Sequence, residues 1–564
     1  MSTIDWYILA FFLIFIACYG IWKSRGSKDM RGYFLANRRT PWYIVTLSIM
    51  ATQASAITFL STPGQAYVDG MRFVQFYFGL PLAMIILSIT AVPIFHHLNV
   101  YTAYEYLESR FDLKNRILAA ILFLIQRGLA AGFTIFAPAL VISVLLGWRL
   151  DSTIIIIGSL VVLYTASGGT EAVNKTHLLQ MIVIFFGMLI AVFMLFKLMP
   201  DNISFIDALH VAGKMKKLNA IDFTFDLSNR YNIWSGLLGG TFLMLSYFGT
   251  DQSQVQRYLA GSSVAQSRTA LLANGVVKIP MQFFILFLGA MVFVFYQFTA
   301  PPLFFNPVLY QKAKEGPHAQ SFNIVESEYQ AKNEQKKEEI SALLHAIEIN
   351  DKSAIDRHTQ RVRQIDTDAL TIKEKGVELI KKTDAAAESN DVNYIFLSFV
   401  LTFLPVGVIG LVLAAIISAS MSSTSAELNA LASTTVIDIY KRLIKKDASD
   451  KHYLVISKII TIFWGIYAII FALFANRLGS LIEAVNILGS LFYGTILGIF
   501  LIAFYFKRIG GTATFISAIL AEIVVLYCYT FTGISFLWYN LIGCVLVVVF
   551  GFFLELIIIK IRSQ

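Results

Sequence analysis

The chain has 564 residues, 57% hydrophobic and 14% charged, with 47 Phe, a mean hydropathy of +0.67 and a formal net charge of +9. A water-soluble domain, nearer a quarter charged, is excluded, and repeated apolar runs of about 20 residues, the length that crosses a roughly 30 Å hydrocarbon layer, mark an all-α polytopic membrane protein surrounded by lipid. The basic residues form short clusters between the apolar runs, the habit of cytoplasmic loops, so no nucleic-acid partner is expected.

The first apolar run, Trp6 to Trp22, follows Asp5 and precedes Lys23, Arg25 and Lys28, which reads as a retained helix with its N-terminus outside. Further spans are expected near 42–66, 72–97, 117–146, 152–170, 177–199, 233–258, 271–298, 406–436, 456–476, 481–506, 512–532 and 534–560, thirteen in all. With odd segments running inward, the basic stretches Lys23 to Arg39, Lys441 to Lys446, Lys507/Arg508 and Lys560/Arg562 fall in the cytoplasm, as does the C-terminus. Cys18, Cys528 and Cys544 sit inside apolar runs, at spacings of neither a metal site nor a disulfide framework.

Residues 311–391 break the pattern, with 13 Lys and Arg against 16 Asp and Glu. Their apolar residues, among them Ile340, Leu343, Leu344 and Ile347, recur at near-helical spacing. An external helical hairpin or cap is expected inside an insertion spanning 299–393. It is either a partner or gating surface or a solvated insertion with no direct role.

Three spans carry polar chemistry at membrane depth, where unsatisfied hydrogen-bonding groups are costly. The second holds Ser48-Ile49-Met50-Ala51-Thr52-Gln53-Ala54-Ser55-Ala56-Ile57-Thr58; either it packs on other helices or its backbone opens. The ninth holds Ala415 to Glu427, in which Ala419, Ser422 and Ser423 share one helical face. Two hydroxyls with free carbonyls suit a small hard cation such as sodium, and interrupted membrane helices supply such carbonyls. The seventh ends in Leu245 to Arg257, with Gly249 amid polar residues, and reads as another broken helix.

At these residues the chain resembles the sodium/solute symporter family. The resemblance rests on Gly249-Thr250-Asp251-Gln252 with Val255-Gln256-Arg257, on Phe403-Leu404-Pro405-Val406-Gly407 leading into the serine-rich ninth span, and on Asp438-Ile439-Tyr440. It implies a ten-helix inverted-repeat core over spans 2–11, with the chain parsed as 1–40 (extra helix and cytoplasmic loop), 41–298 (first repeat and two helices of the second), 299–393 (insertion), 394–506 (rest of the second repeat) and 507–564 (two terminal helices). It implies Na+ as coupling ion, held by backbone oxygens of Ala51, Ala54 and Ala419 and the hydroxyls of Ser422 and Ser423. Where some members place an Asp for a second sodium, this sequence aligns His177, with Ser425 kept and Ala426 replacing a hydroxyl. An imidazole is a poor sodium ligand, so one sodium per cycle is expected; otherwise His177 is a headgroup-level residue beside Lys175.

Arg127 lies about 15 Å into the fourth span at 1.5 Å per residue, and an arginine so deep faces a cavity or an anion. With Ser55 and Thr58 it resembles the carboxylate grip of the family's sialic acid symporters. The substrate is therefore expected to be a small carboxylated solute, a sialic or other sugar acid first and a monocarboxylate second, with a neutral sugar the alternative. Gln75, Tyr77, Asn486 and Tyr493 are expected to line the same cavity, and Tyr247 to be its inner gate. Lys278 matches a family lysine, Asp251 is expected to pair with Arg257 near the inner surface, and Glu427, Glu483 and Glu522 receive no role. Proton coupling is the nearest rival mechanism. A sensor would need an appended signalling domain, and an intramembrane enzyme a catalytic dyad or metal cluster that the eight His do not form. The site expected is a bacterial inner membrane.

Overall fold

The computed structural model describes residues 1–24, 34–35, 38–384, 389–475 and 480–563. Most of the basic stretch Lys23 to Arg39 lies outside the described residues, as do the side chains of Lys175 and Arg562. Among the described residues the fold is helical, with one isolated bridge between Thr40 and Gly261, and nine helical stretches are long and apolar enough to cross a membrane.

The expected spans appear in order, several of them divided. The first is α1 (Thr3–Ser24). The second is two helices, α2 (Trp42–Gln53) and α3 (Ala56–Asp69). The third begins as a 3-10 turn and continues as α4 (Leu80–Ile89) and α5 (Ala91–His97). After the short α6 (Tyr104–Arg110), the fourth is α7 (Leu113–Leu146).

The fifth and sixth spans depart from expectation. They form one 48-residue helix, α8 (Leu150–Lys197), about 72 Å of contour, twice the hydrocarbon layer. Thr165 of α8 meets Ser425, while Gly187 lies against Ala415 and Val412. On straight helices the first pair of positions would be about 33 Å apart and the partners about 15 Å, so α8 bends around the helix it packs on.

Next come α9 (Phe205–Lys214) and the seventh span, again divided into α10 (Gly240–Gly249) and α11 (Gln252–Leu259). The eighth is α12 (Val264–Phe298). The charged insertion is α13 (Pro307–Glu315) followed by an antiparallel pair, α14 (Ala319–Glu348) and α15 (Lys352–Thr383). Its apolar residues form two small cores, around Phe322 and Tyr329 and around Leu343 and Ile355, while Ile340 and Val362 join the main core. The hairpin is thus folded as its periodicity predicts. An apolar helix not expected as an element, α16 (Val392–Phe403), follows; its 12 residues are too short to cross. The remaining spans are α17 (Val408–Thr434), α18 (Asp450–Ala475), α19 (Leu481–Tyr505), α20 (Gly511–Phe531) and α21 (Leu537–Ser563).

Two devices hold α3 and α17 in place. Small residues let backbones touch, the main route to tight helix packing where lipid removes the hydrophobic drive: a Cβ on Gly64 would stand 2.0 Å from the Val392 carbonyl oxygen, and one on Gly289 2.2 Å from that of Pro63. Thus α3 is clasped between α12 and α16. At the start of α17, the buried Asp5 accepts from the backbone N–H groups of Gly407 (2.7 Å) and Gly410 (3.1 Å), a carboxylate where the helix dipole favours one. At the far end, Asp438 accepts from Arg116 Nε (2.7 Å) and Thr102 Oγ1 (2.8 Å), which ties that motif to α7.

Gly289→Ala is expected to lower the apparent melting temperature of the purified protein, since overpacking costs about 1–3 kcal/mol. Gly213→Ala, where a Cβ meets nothing within 4 Å, is expected to leave it unchanged or slightly raised.

Candidate functional site

The site is built on the gap between α2 and α3. Ala54 (φ −84°, ψ 68°) and Ser55 (φ −78°, ψ 172°) leave the helical conformation. The Ala54 N–H still reaches Met50 O at 2.8 Å, and Thr58 turns back, its Oγ1 donating to Gln53 O at 3.1 Å. The last carbonyls of α2 lose the partners a continuous helix would give them. Beside them runs α17: Ser422 Oγ lies 3.5 Å from Ala51 O, and Ser423 Oγ is 3.2 Å from both Ala419 O and Ser420 O. Ala51, Ala54, Ala419, Ser422 and Ser423 are all buried. Neutral oxygens from two chain segments, with no nitrogen or sulfur among them, form the donor set a hard alkali cation accepts. Among the described residues no cluster of His, Cys, Asp and Glu offers a transition-metal site.

A cavity of about 100 Å³ adjoins the gap. Of the expected lining, Ser55, Thr58, Tyr77, Arg127, Tyr247, Asn486 and Tyr493 are there, and Asn486 Nδ2 meets no acceptor among the described residues. Gln75 is not there. Its Nε2 donates to Tyr231 O at 2.9 Å and its Oε1 accepts from Asp222 N at 3.0 Å, so this amide staples a loop instead.

Arg127 is buried and already engaged. Its guanidinium donates to Glu427 Oε1 at 3.0 Å, to Tyr493 OH at 2.6 Å and to Asp251 Oδ2, and lies 5.4 Å over the Tyr247 ring. Tyr493 OH donates to the same Asp251 oxygen at 2.7 Å, and Thr134 Oγ1 to Glu427 Oε2 at 2.9 Å. Asp251 therefore pairs with Arg127, correcting its expected pairing with Arg257. It sits at the α10–α11 junction, capping α11 through Ser253 N at 2.8 Å. One guanidinium thus joins α7, α17, α19 and the second helix break. Arg127 Nε has no acceptor among the described residues. Lys278, buried and 5.9 Å over the Tyr77 ring, has no carboxylate within ion-pair distance among them, and is the second cation of the cavity.

His177 is fully buried: its Nδ1 lies 2.9 Å from Ser48 Oγ on α2. Ser425 Oγ is 2.9 Å from Thr165 Oγ1. These side chains bind α8 to α2 and α17. Tyr247 OH accepts from Gln254 Nε2 at 2.8 Å, and its ring centre lies 5.9 Å from that of Tyr493.

Sequence reasoning passed over Glu427 and misread Asp251. The signal was present: an ionisable residue inside a span asks for a partner, and Asp251 and Glu427 both meet Arg127.

Residues 33–328 and 377–521 match the family model described as the sodium:solute symporter family. The chain is 25% identical over 556 residues to the sodium/sialic acid symporter SiaT of Proteus mirabilis (strain HI4320), covering 97% of this chain and 94% of that protein. It is 30% identical over 304 residues to the Homo sapiens sodium/iodide cotransporter, covering 53% of this chain but only 46% of that protein. The fold matches a solved sodium-coupled sialic acid symporter in its substrate-bound outward-open state, with a TM-score of 0.74 at 22% identity over 99% of this chain and 98% of that one.

Removing one member of a buried pair leaves the others uncompensated, at about 3–5 kcal/mol. Arg127→Met is therefore expected to lower thermal stability strongly, and Arg127→Met with Asp251→Asn and Glu427→Gln to recover part of the loss. Equal melting temperatures for the single and triple variants would contradict the pairing.

Proposed function

The chain belongs to the sodium:solute symporter family, and on that footing we propose that it is a sodium-coupled symporter importing a small carboxylated solute by alternating access. The observation that carries this is the meeting of Ala51 O with Ser422 Oγ across the helix gap, directly beside a cavity that holds two cations. The membrane is proposed to be the bacterial inner membrane, with the N-terminus outside and the C-terminus cytoplasmic, which keeps the basic loops inside.

Sodium is proposed to sit among the oxygens of Ala51, Ala54, Ala419, Ser422 and Ser423. Its charge replaces the missing hydrogen bonds of the broken helix and holds α2 against α17. That fixes Ser55 and Thr58, the next residues along the chain, at the cavity wall, so ion and solute favour one another's binding. The solute's carboxylate is proposed to lie against Lys278 and Arg127 Nε, with the Ser55 and Thr58 hydroxyls completing the shell; Asn486 Nδ2 and Tyr77 take the rest of the molecule. Tyr247, between the cavity and the α10–α11 junction, is the proposed inner gate.

A sugar acid is favoured by the likeness to SiaT over nearly its whole length. At about 100 Å³ the cavity is small beside the roughly 300–1,000 Å³ of common ligand pockets, so a sugar acid requires the bundle to open around it. That volume favours a second reading, a compact monocarboxylate.

His177, engaged by Ser48, leaves a single oxygen-lined ion site, hence one sodium per cycle. One sodium with one monocarboxylate carries no net charge, so the concentration gradient of sodium supplies the drive.

In proteoliposomes, uptake is expected to require sodium with a Hill coefficient near one and to be indifferent to an imposed potential; a coefficient near two, or uptake driven by a pH gradient alone, would refute this. Ser423→Ala is expected to raise the sodium concentration for half-maximal uptake, and its failure to do so would displace the ion site. A hydrogen bond to a charged group is worth about 1.5–3 kcal/mol, so Lys278→Gln is expected to raise the KM for the acid about 10- to 100-fold. Uptake of neutral sugars in preference to acids would overturn the substrate class.

A further inference from the structure

The family model omits residues 329–376, which are the larger part of α14 and α15. This hairpin does not stand off the bundle. It roofs a cavity of about 200 Å³ whose floor is the far end of α3, at Tyr67 and Val68, and the end of α12, at Phe293 and Gln297. The 14 residues of α3 put this cavity about 20 Å from the helix gap, so it is separate from the central one.

Its walls hold three lysines and two aspartates. Lys336 Nζ pairs with Asp366 at 3.1 Å, and Lys373 Nζ with Asp391 at 2.9 Å. Lys217 is the odd cation: its Nζ donates to the Val68 carbonyl at 2.5 Å and lies 4.4 Å over the Phe293 ring. Burial pushes its pKa down to about 8, against the pull of Asp366 and Asp69 and with Arg72 and Lys336 adding to the burial effect. Such a site lacks one negative charge. Gln297 adds an acceptor: it is 2% exposed, its Nε2 donates to Phe293 O at 2.9 Å, and its Oε1 meets no donor among the described residues. The ligand that satisfies both is an anion that also carries a hydroxyl, with an apolar face for Tyr67 and Phe293.

We infer that the cavity between the hairpin and the ends of α3 and α12 is a second binding site, for a small hydroxylated carboxylate, with Lys217 holding the carboxylate and Gln297 Oε1 a hydroxyl. By the orientation proposed above it faces the outside, on the approach to α3. It rests on the central reading only for that orientation.

The probe is labelled gluconate, bound at equilibrium to the full-length purified protein in sodium-free buffer, where the central site lacks its ion. Saturable binding of one gluconate per chain is expected, weakened at least tenfold by Lys217→Gln. Gln297→Leu is expected to weaken gluconate and leave acetate unchanged. Because only the ammonium form of Lys217 attracts the anion, affinity is expected to be flat below pH 8 and to fall about tenfold per unit above it. This last measurement uses the unaltered protein, should the variants fail to fold. Absence of sodium-free binding, equal affinity in Lys217→Gln, or indifference to pH would each overturn the site. Sodium-driven uptake failing while this binding persists would count against the central reading alone.

Discussion

A backbone carbonyl inside a lipid bilayer must find a partner, and the interruption between α2 and α3 withholds several. Everything at the centre of the molecule answers that constraint. The four residues from Ala51 to Ala54 cannot be left facing hydrocarbon at several kcal/mol per group, so the gap is enclosed by α17, and the oxygens of Ser422 and Ser423 come to lie beside it. The small residues around α3 serve the same end. With Gly64 against Val392 and Gly289 against Pro63, the second half of the broken helix, which begins just past Ser55 and carries Thr58, is packed backbone to backbone against its neighbours.

The second break is resolved differently. At the α10–α11 junction the freed amides are met by the Asp251 side chain, whose other oxygen takes Arg127 and Tyr493. One interruption thus leaves oxygens available to a cation, and the other is closed by a resident carboxylate. A guanidinium shared by two acids is held from several sides and is a poor free anion receptor. Lys278, which lacks such an acid, is the stronger attractor for an anion entering the cavity, while Arg127 contributes a single donor and the rigidity of its anchorage. Charge is balanced over the four groups as a set: two cations and two acids, with Arg127 bonded to both acids and Lys278 on the wall of the same cavity. This is the cheaper arrangement for ionised side chains at that depth.

What was legible in the sequence was local. The polar run inside an apolar span left two readings, packing on other helices or an opened backbone, and the structure opens it at Ala54–Ser55; the i, i+3, i+4 spacing of Ala419, Ser422 and Ser423 fixes their common face whatever the neighbours do. The periodicity of the insertion likewise specified a helical hairpin. Pairing across the chain was not legible. Arg127 and Asp251 are 124 positions apart, and Arg257 was as good a partner on paper. Gln75 failed for a related reason: an amide at a span's end can face a cavity or a loop, and the Asp222 backbone that claims it is 147 positions away. His177 stood at a polar boundary, beside Lys175 and Thr176 in sequence, yet burial is decided by what packs on it, and α2 packs there. The separate spans expected at 152–170 and 177–199 are one helix, since in lipid a helix that bends keeps its hydrogen bonds.

The hairpin is joined to the bundle at its base. Two small apolar clusters serve the hairpin, while Ile340 and Val362 join the main core and Arg363 donates to the Lys214 carbonyl at 2.7 Å, with junctions at Asn306 and Asp391. Those junctions are not loose. Asp391 accepts from the Phe305 N–H at 2.8 Å and from Lys373 at 2.9 Å, so the base of the hairpin is locked to the start of α16. Because α16 touches α3 through Gly64, and α19 begins on Asn393, whose Oδ1 accepts from Leu481 N at 3.2 Å, the hairpin is mechanically continuous with two elements of the central cavity. A solvated ornament would need only the apolar clusters; it would not need Lys336, buried, and Lys373, half-buried, on the wall of a cavity that meets Lys217 and the ends of α3 and α12. The cost of desolvating those charges is carried where the insertion meets the ends of α3 and α12, and there the pairs Lys336–Asp366 and Lys373–Asp391 offset it.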